Sequence, residues 1–315
     1  MSAPPLGPSS HFLRALPGVE RLGLAVSGGP DSVAMLLIAA EALPGRIAVA
    51  TVDHGLRAAA AAEAAFVAGL CAARGIPHTI LTAAVAAEGK GLQAAARAAR
   101  YRLLARWCAA SGLGHLATAH HADDQAETLL MRLGRGAGLA GLGGIRRRRP
   151  LGDGITLIRP LLDVTRAELA AIVAAAGIVA VDDPSNRDPR YDRTRARALL
   201  AAGYPAARRV AAAAAHLAEA EAALAWAADG EWDRRQRRED GGTLAIDVAG
   251  LPEELRRRLV QRALTAIAAE AVPRGPDLAR FIGVLAGGGA ATIAGVRGAG
   301  GAVWRFAPAP PRRAN

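Results

Sequence analysis

The string Ser27-Gly28-Gly29-Pro30-Asp31-Ser32 carries the residue types needed to cradle a phosphate. Glycines let the backbone come close to a ligand and take conformations closed to other residues. N–H groups turned into such a loop, together with the positive end of a following helix, suit an anion. Ser27 and Ser32 add hydroxyl donors. Asp31 repels a bare phosphate, so a carboxylate here implies a bridging Mg²⁺ or a part in organising the loop. The string lacks the G-K-[ST] ending of a Walker loop and is not a GxGxxG fingerprint. A lone Ser-Gly-Gly reads most simply as a helix cap. The full string behind an apolar strand is more specific and points to a nucleotide site.

Two further strings could do chemistry. His120-His121-Ala122-Asp123-Asp124-Gln125-Ala126-Glu127-Thr128 puts two histidines and three carboxylates at a strand-to-helix junction. Asp123 and Glu127, four apart, share a helix face. Acids gathered in an otherwise basic chain imply a cationic ligand or a metal, and a lysine ammonium or Mg²⁺ would fit. Helix capping is the plainer reading for Asp123 or Asp124 alone. The third string is Asp182-Asp183-Pro184-Ser185-Asn186 with Tyr191, Arg193, Arg195 and Arg197. Arginines at alternate positions would spread around a helix or line one side of an extended segment. They could meet phosphate or stacked bases, or form a solvated basic face.

These strings sit on alternating elements. Strand-like runs cover Leu22–Val26, Ile47–Val52, Pro77–Leu81 and His115–Thr118. Helix-like runs cover Ser32–Ala42, Ala58–Arg74, Leu92–Ser111 and Asp123–Leu133. The alternation predicts an α/β fold, a doubly wound, mostly parallel sheet covered on both faces. Thr165 with Glu168 predicts a capping box opening another helix. The domain boundary is expected near Gly203-Tyr204-Pro205, giving a catalytic domain over 1–205 and a smaller, mainly helical domain over 206–315. In the latter, Ala206–Arg238 reads as a long helix, Thr243–Val248 as a strand, and Ala291–Val296 with Ala302–Phe306 as a terminal hairpin before a loose tail.

The formal net charge of +11 over 315 residues points to a polyanionic partner. Arg97 and Arg100, with the basic runs 146–149 and 234–238, are candidates for RNA backbone contacts. Aromatics make up only 3% of the chain, so the core is expected to be aliphatic and Ala-rich. Cys71 and Cys108 form no CxxC pair, which argues against zinc ribbons and dithiol centres and fits a reducing cytoplasm. The N-terminal stretch has no basic start followed by an apolar run, and no uninterrupted apolar segment could span a bilayer. A cytoplasmic location without membrane contact is expected, and the reading allows a homodimer.

The SGGPDS string resembles the pyrophosphate loop of the N-type ATP pyrophosphatases. Those enzymes split ATP between its α- and β-phosphates on an adenine nucleotide α-hydrolase-like sheet, with ATP at the carboxyl ends of the strands. Within that superfamily, His120–Thr128 resembles the H-H-x-D-D-Q-x-E-T motif of the tRNA(Ile)-lysidine synthetases. Thr51-Val52-Asp53-His54-Gly55-Leu56-Arg57, Arg159-Pro160-Leu161-Leu162 and the 182–197 string are similar to further segments of that family. Thr194 and Ala196 depart from its pattern, where Asn and a larger apolar residue are typical.

The resemblance implies ATP-dependent ligation of free L-lysine to C2 of the wobble cytidine of tRNA(Ile) with a CAU anticodon. The C2 oxygen would attack the α-phosphate and release pyrophosphate. The lysine ε-amine would then displace AMP. Ser27, Gly28, Gly29, Pro30, Asp31, Ser32, Asp53, His54 and His120 are implied to bind ATP, with Asp31 toward Mg²⁺. Asp123, Asp124 and Glu127 are implied to hold lysine, with Asp124 or Glu127 accepting its proton. Arg97, Arg100, Arg193, Arg195 and Arg197 are assigned to the tRNA. Longer family members carry a further C-terminal domain, so tRNA discrimination is expected to lie in the catalytic domain and one small appended domain. A 2-thiolase of the same superfamily would need cysteine motifs that Cys71 and Cys108 do not match. A purely RNA-binding protein would have no use for an intact Ser27–Ser32 string, and no glutaminase segment supports an amidotransferase.

Overall fold

The computed structural model describes residues 7–53, 58–82, 92–181, 192–270, 273 and 275–310. The expected segments at His54–Arg57 and Asp182–Tyr191 lie outside them.

The chain divides into two compact units, 1–218 and 219–315. The first opens with helix α1 (Pro8–Arg14), which the pattern of the N-terminal stretch did not announce and which buries Phe12 completely. It continues as β1 (Leu22–Ala25), α2 (Pro30–Ala42), β2 (Ile47–Asp53), α3 (Ala58–Ala72), β3 (His78–Thr82), α4 (Leu92–Ala110), β4 (His115–Ala117) and α5 (Ala122–Leu133). Then come α6 (Leu139–Leu142), β5 (Arg148–Gly152), β6 (Ile155–Ile158), α7 (Arg166–Ala175), α8 (Asp192–Ala201) and α9 (Ala207–Arg235). The sheet order is β3-β2-β1-β4-β6-β5. All pairings are parallel except the antiparallel edge pair β5/β6. That edge hairpin uses part of the basic run 146–149 as a strand, which a charged stretch before Pro150 does not advertise.

Strand periodicity explains the two faces. Ile47 and Val49 of β2 join the cluster of Leu22, Leu24, Val33, Leu36 and Leu169, while Ala48 and Ala50 turn to Leu104, Trp107 and Leu116. Burial on both sides is why these strands read as continuous apolar runs. Gly23 of β1 is required by a close approach: a Cβ there would lie 2.9 Å from Trp107 Cζ3. Thr165 caps α7 as expected, with Glu168 N–H donating to its Oγ1 and Thr165 N–H donating to Glu168 Oε2.

The sequence reading divided the domains at Pro205, whereas the compact units part at 218/219, inside α9. The start of α9 stays with the first unit because Val210 and Ala214 pack on Ala126 and Leu129 of α5. The second unit adds to its helices α10 (Glu253–Ile267) and α11 (Gly275–Ala286) a five-stranded antiparallel sheet. Its strands are β7 (Gln236–Arg238), β8 (Leu244–Asp247), β9 (Ala290–Ile293), β10 (Val296–Ala299) and β11 (Val303–Pro308), in the order β7-β8-β11-β10-β9. The run expected as one strand over Ala291–Val296 breaks at Ala294-Gly295, both at positive φ, and makes a hairpin of its own. Trp232, Phe281, Trp304 and Phe306 fill this unit's core, so its few aromatics are concentrated there.

Candidate active site

The phosphate-loop string follows β1. Gly28 has φ +89°, a left-handed conformation that favours glycine, and Gly29 is the N-cap of α2 with Pro30 behind it. The loop is closed by Ser32, whose hydroxyl donates to Gly29 O at 2.9 Å and accepts from Ser27 N–H at 3.2 Å. Asp53 ends β2, and His120 follows β4. Both strands flank β1, so Ser27–Ser32, Asp53 and His120 gather at the carboxyl ends of three adjacent strands.

His121 is the hub of the acidic group. It is only 1% exposed, yet its Nε2 lies 3.3 Å from Asp31 Oδ2 and 3.6 Å from Asp124 Oδ2, and its Nδ1 lies 3.5 Å from Asp123 Oδ2. Burial disfavours the imidazolium, but Asp123, Asp31 and Asp124 outweigh it and hold the His121 pKa up at about 10. For Asp123 burial acts to raise the pKa, and the His121 contact with the Arg166 N–H bond at 2.8 Å brings it down to about 2. Asp124 is also lowered: burial opposes this, and the charged His121 and Arg193, with the His121 N–H bond to its carboxylate, drive it. His120 differs from its neighbour. Burial, with Arg159, Arg97 and Arg100 nearby, pushes its pKa well down, so it is neutral, its Nδ1 at 3.0 Å from Thr118 Oγ1.

Glu127, 1% exposed, is shared by two arginines of α8. Arg197 Nε donates to Oε1 at 2.7 Å, and Arg193 Nε lies 3.0 Å from Oε2. Arg193 also reaches to 3.9 Å from Asp124 Oδ1. The helical form of 192–201 thus resolves the two readings of the alternate arginines: Arg193 and Arg197, four apart, both reach Glu127, while the exposed Arg195 has no carboxylate partner among the described residues.

A PP-loop domain family matches residues 9–202. A protein of Novosphingobium aromaticivorans named tRNA(Ile)-lysidine synthase is 48% identical, over 98% of this chain and 96% of its own length. Its namesakes from Zymomonas mobilis subsp. mobilis and Bradyrhizobium diazoefficiens are 47% and 44% identical, over 93% and 97% of this chain and 90% and 94% of their own. The chain belongs to the tRNA(Ile)-lysidine synthase family. Among solved structures, the U34-tRNA thiolase NcsA from Methanococcus maripaludis superposes with a TM-score of 0.55 at 17% identity, covering 67% of this chain and 78% of that one. At that identity the likeness supports the shared α/β fold.

Seen as a member of this family, the chain brings Asp31, Asp123, Asp124 and His121 together at one place, and joins Glu127 to Arg193 and Arg197 instead of leaving it open. His54 lies outside the described residues. Among the described residues no cluster of three or more His, Cys, Asp or Glu could by itself hold a metal ion. Several arginines of the expected basic runs are already paired: Arg147 with Asp163 at 2.8 Å, Arg234 and Arg235 with Glu231, and Arg237 with Glu239. Sequence reasoning missed the structural work of Gln125 and Arg132. Gln125 Nε2 donates to Ile145 O at 3.1 Å, and Arg132 donates to Gly141 O and Gly144 O at 2.6 and 2.8 Å, so α5 clamps the glycine-rich segment behind it. Their place in the motif string was the available signal. His121 was also missed as the hub, because nothing in a His-His pair says which ring turns inward.

The charge on His121 gives a pH test. An unfolded histidine titrates near about 6.5, below the folded value of about 10. Its stabilisation is therefore full below the unfolded pKa and fades as pH rises through the folded one. Free of nucleotide and divalent ions, the wild-type Tm should fall from pH 7 to 10 more steeply than that of His121→Asn. Parallel Tm curves would remove the imidazolium from the hub.

Proposed function

We propose that this chain ligates free lysine to the wobble cytidine of tRNA(Ile) with a CAU anticodon, using ATP and passing through an adenylated cytidine. The observation that carries this reading is the meeting of the phosphate loop and the acidic string, with Asp31 Oδ2 3.3 Å from the buried His121 that Asp124 also approaches. ATP phosphates would lie against Ser27–Ser32 at the N-terminus of α2, where N–H groups and the helix dipole stabilise charge as pyrophosphate departs.

The Asp31 carboxylate, 31% exposed beside the loop, suits Mg²⁺, which commonly takes one or two carboxylates and completes its shell with phosphates and water. Bound there, Mg²⁺ would neutralise charge on the leaving phosphates. His121 would keep Asp31, Asp123 and Asp124 in register.

Asp124 is our choice to hold the lysine ammonium, with Asp123 beside it. Its carboxylate is 16% exposed, whereas Glu127 already has Arg193 and Arg197 close by and Arg166 at 3.8 Å. We assign Glu127 to anchoring α8, which leaves Asp124 and the neutral His120 as proton acceptors for the attacking amine. Arg193 and Arg197 would act at the acidic edge, and exposed Arg195 would contact the tRNA backbone. No helix among the described residues is long and apolar enough to cross a membrane. We place the reaction in the cytoplasm, where its substrates meet.

The test is incubation of the protein with labelled lysine, ATP and tRNA(Ile) bearing CAU. Lysine should become acid-precipitable only when ATP and that tRNA are both present. Folded protein that binds ATP but leaves lysine unattached would overturn the reading.

A further inference from the structure

Arg97 and Arg100 on α4, Arg149 on β5 and Arg159 just beyond β6 converge on one side chain, Tyr101. The guanidinium carbons of Arg97, Arg100 and Arg149 lie 5.2, 5.4 and 4.9 Å from the ring centroid, within cation–π range. Arg97 also donates to the Tyr101 hydroxyl at 3.3 Å. Tyr101 is 6% exposed and Arg159 4%, and the buried Nε of Arg159 has no hydrogen-bond partner. Among the described residues no carboxylate stands within ion-pair distance of these four arginines. Arginines elsewhere differ: Arg147, Arg208, Arg257, Arg258, Arg262 and Arg305 each meet an acid. Burial would raise the Tyr101 pKa, yet Arg97, Arg100 and Arg159 hold it below the usual phenol value, a sign of positive potential left unneutralised.

An uncompensated set of guanidiniums around a buried ring calls for an anion. The geometry points to a phosphate subsite centred on Tyr101, built by Arg97, Arg100, Arg149 and Arg159, that takes a phosphodiester of the bound RNA beside the target nucleotide. This rests on the tRNA-modifying reading and adds Tyr101, Arg149 and Arg159 to it. An RNA phosphate is favoured over those of ATP because the loop after β1 already provides for the nucleotide. Arg159 follows β6, two strands across through β4, roughly 10 Å away at ordinary strand spacing. The cluster also opens outward, with Arg97 exposed and Arg100 and Arg149 half-buried, as a polymer requires. Tyr101 is a positioning residue here: its ring and hydroxyl hold mutually repelling guanidiniums at fixed places.

Arg149→Gln, Tyr101→Phe and Tyr101→Leu test this, with tRNA(Ile) affinity measured by fluorescence anisotropy across about 50–200 mM salt and ATP affinity measured separately. Arg149→Gln should weaken RNA binding roughly 5–10-fold and reduce the slope of log K against log salt by about 1, with ATP affinity within about twofold of wild type. Tyr101→Leu should reduce that slope more than Tyr101→Phe, which keeps the ring; a purely structural tyrosine would lower Tm in both without moving the slope. Unchanged RNA affinity and slope in folded Arg149→Gln overturns the subsite. A loss confined to ATP overturns it in favour of nucleotide phosphates. Wild-type protein that binds no tRNA overturns this inference and the function together, while lysine transfer by wild type with an unchanged Arg149→Gln slope overturns this inference alone.

Discussion

Asp31→Asn should lower kcat/KM for lysidine formation by about 10²–10³-fold or more, with tRNA affinity little changed. The carboxylate does two things that an amide cannot. In the proposed function it would offer a negative ligand to a cation beside the phosphate loop, and it faces the charged His121 imidazole at 3.3 Å. Removing one preorganised electrostatic contributor from an active site commonly costs about that factor. The change is nearly isosteric, so α2, whose first turn holds Asp31, should stay folded. Single-turnover measurement of pyrophosphate release, compared with tRNA binding by filter retention, separates the chemistry from association. Pyrophosphate release within fivefold of wild type would refute the role given to Asp31. Equal losses in release and in tRNA binding would mean that the substitution damages the site as a whole.

Glu127→Ala should destabilise the first unit by about 2–3 kcal/mol. Breaking a buried ion pair by deleting one partner typically costs about 3–5 kcal/mol. The figure is reduced here because the orphaned Arg193 and Arg197 are 45% and 28% exposed and can recover water. For a unit of this size the Tm should fall by roughly 5–10 °C. Glu127→Gln, which keeps the volume and one acceptor, should lose about half as much. Calorimetry of the three proteins decides it: a Tm for Glu127→Ala within 1 °C of wild type would show that Glu127 does not anchor α8. Lysine KM offers a second readout. If Glu127 served mainly to hold lysine, Glu127→Gln would raise that KM far more than it lowered Tm.

These predictions turn on contacts that only partly show in the chain. Strand and helix order was legible because burial on both faces leaves continuous apolar runs such as Ile47–Val52, and because Thr165 and Glu168 form a local capping box. The edge pair β5/β6 was not, since a strand lying at the edge of a sheet can carry Arg148 and Arg149 without alternating apolar positions. The unit boundary was displaced from Pro205 to 218/219 by the packing of Val210 and Ala214 on α5. A turn signal marks where a chain can bend, and contacts between segments decide which unit a helix joins.

The sequence by itself determined the chemistry on offer: an anion loop at Ser27–Ser32, an acidic string at 120–128, and arginines in excess. Those features are local, written in neighbouring residues whose backbone needs and charges do not depend on distant partners. Tertiary structure alone decided which charges meet. It turned His121 inward among Asp31, Asp123 and Asp124, closed Glu127 with Arg193 and Arg197 from 66 and 70 positions away, and gathered Arg97, Arg100, Arg149 and Arg159 around Tyr101 with no acid among the described residues to answer them. Coulomb energy depends on separation in space and on the water excluded between charges, and neither is set by position along the chain.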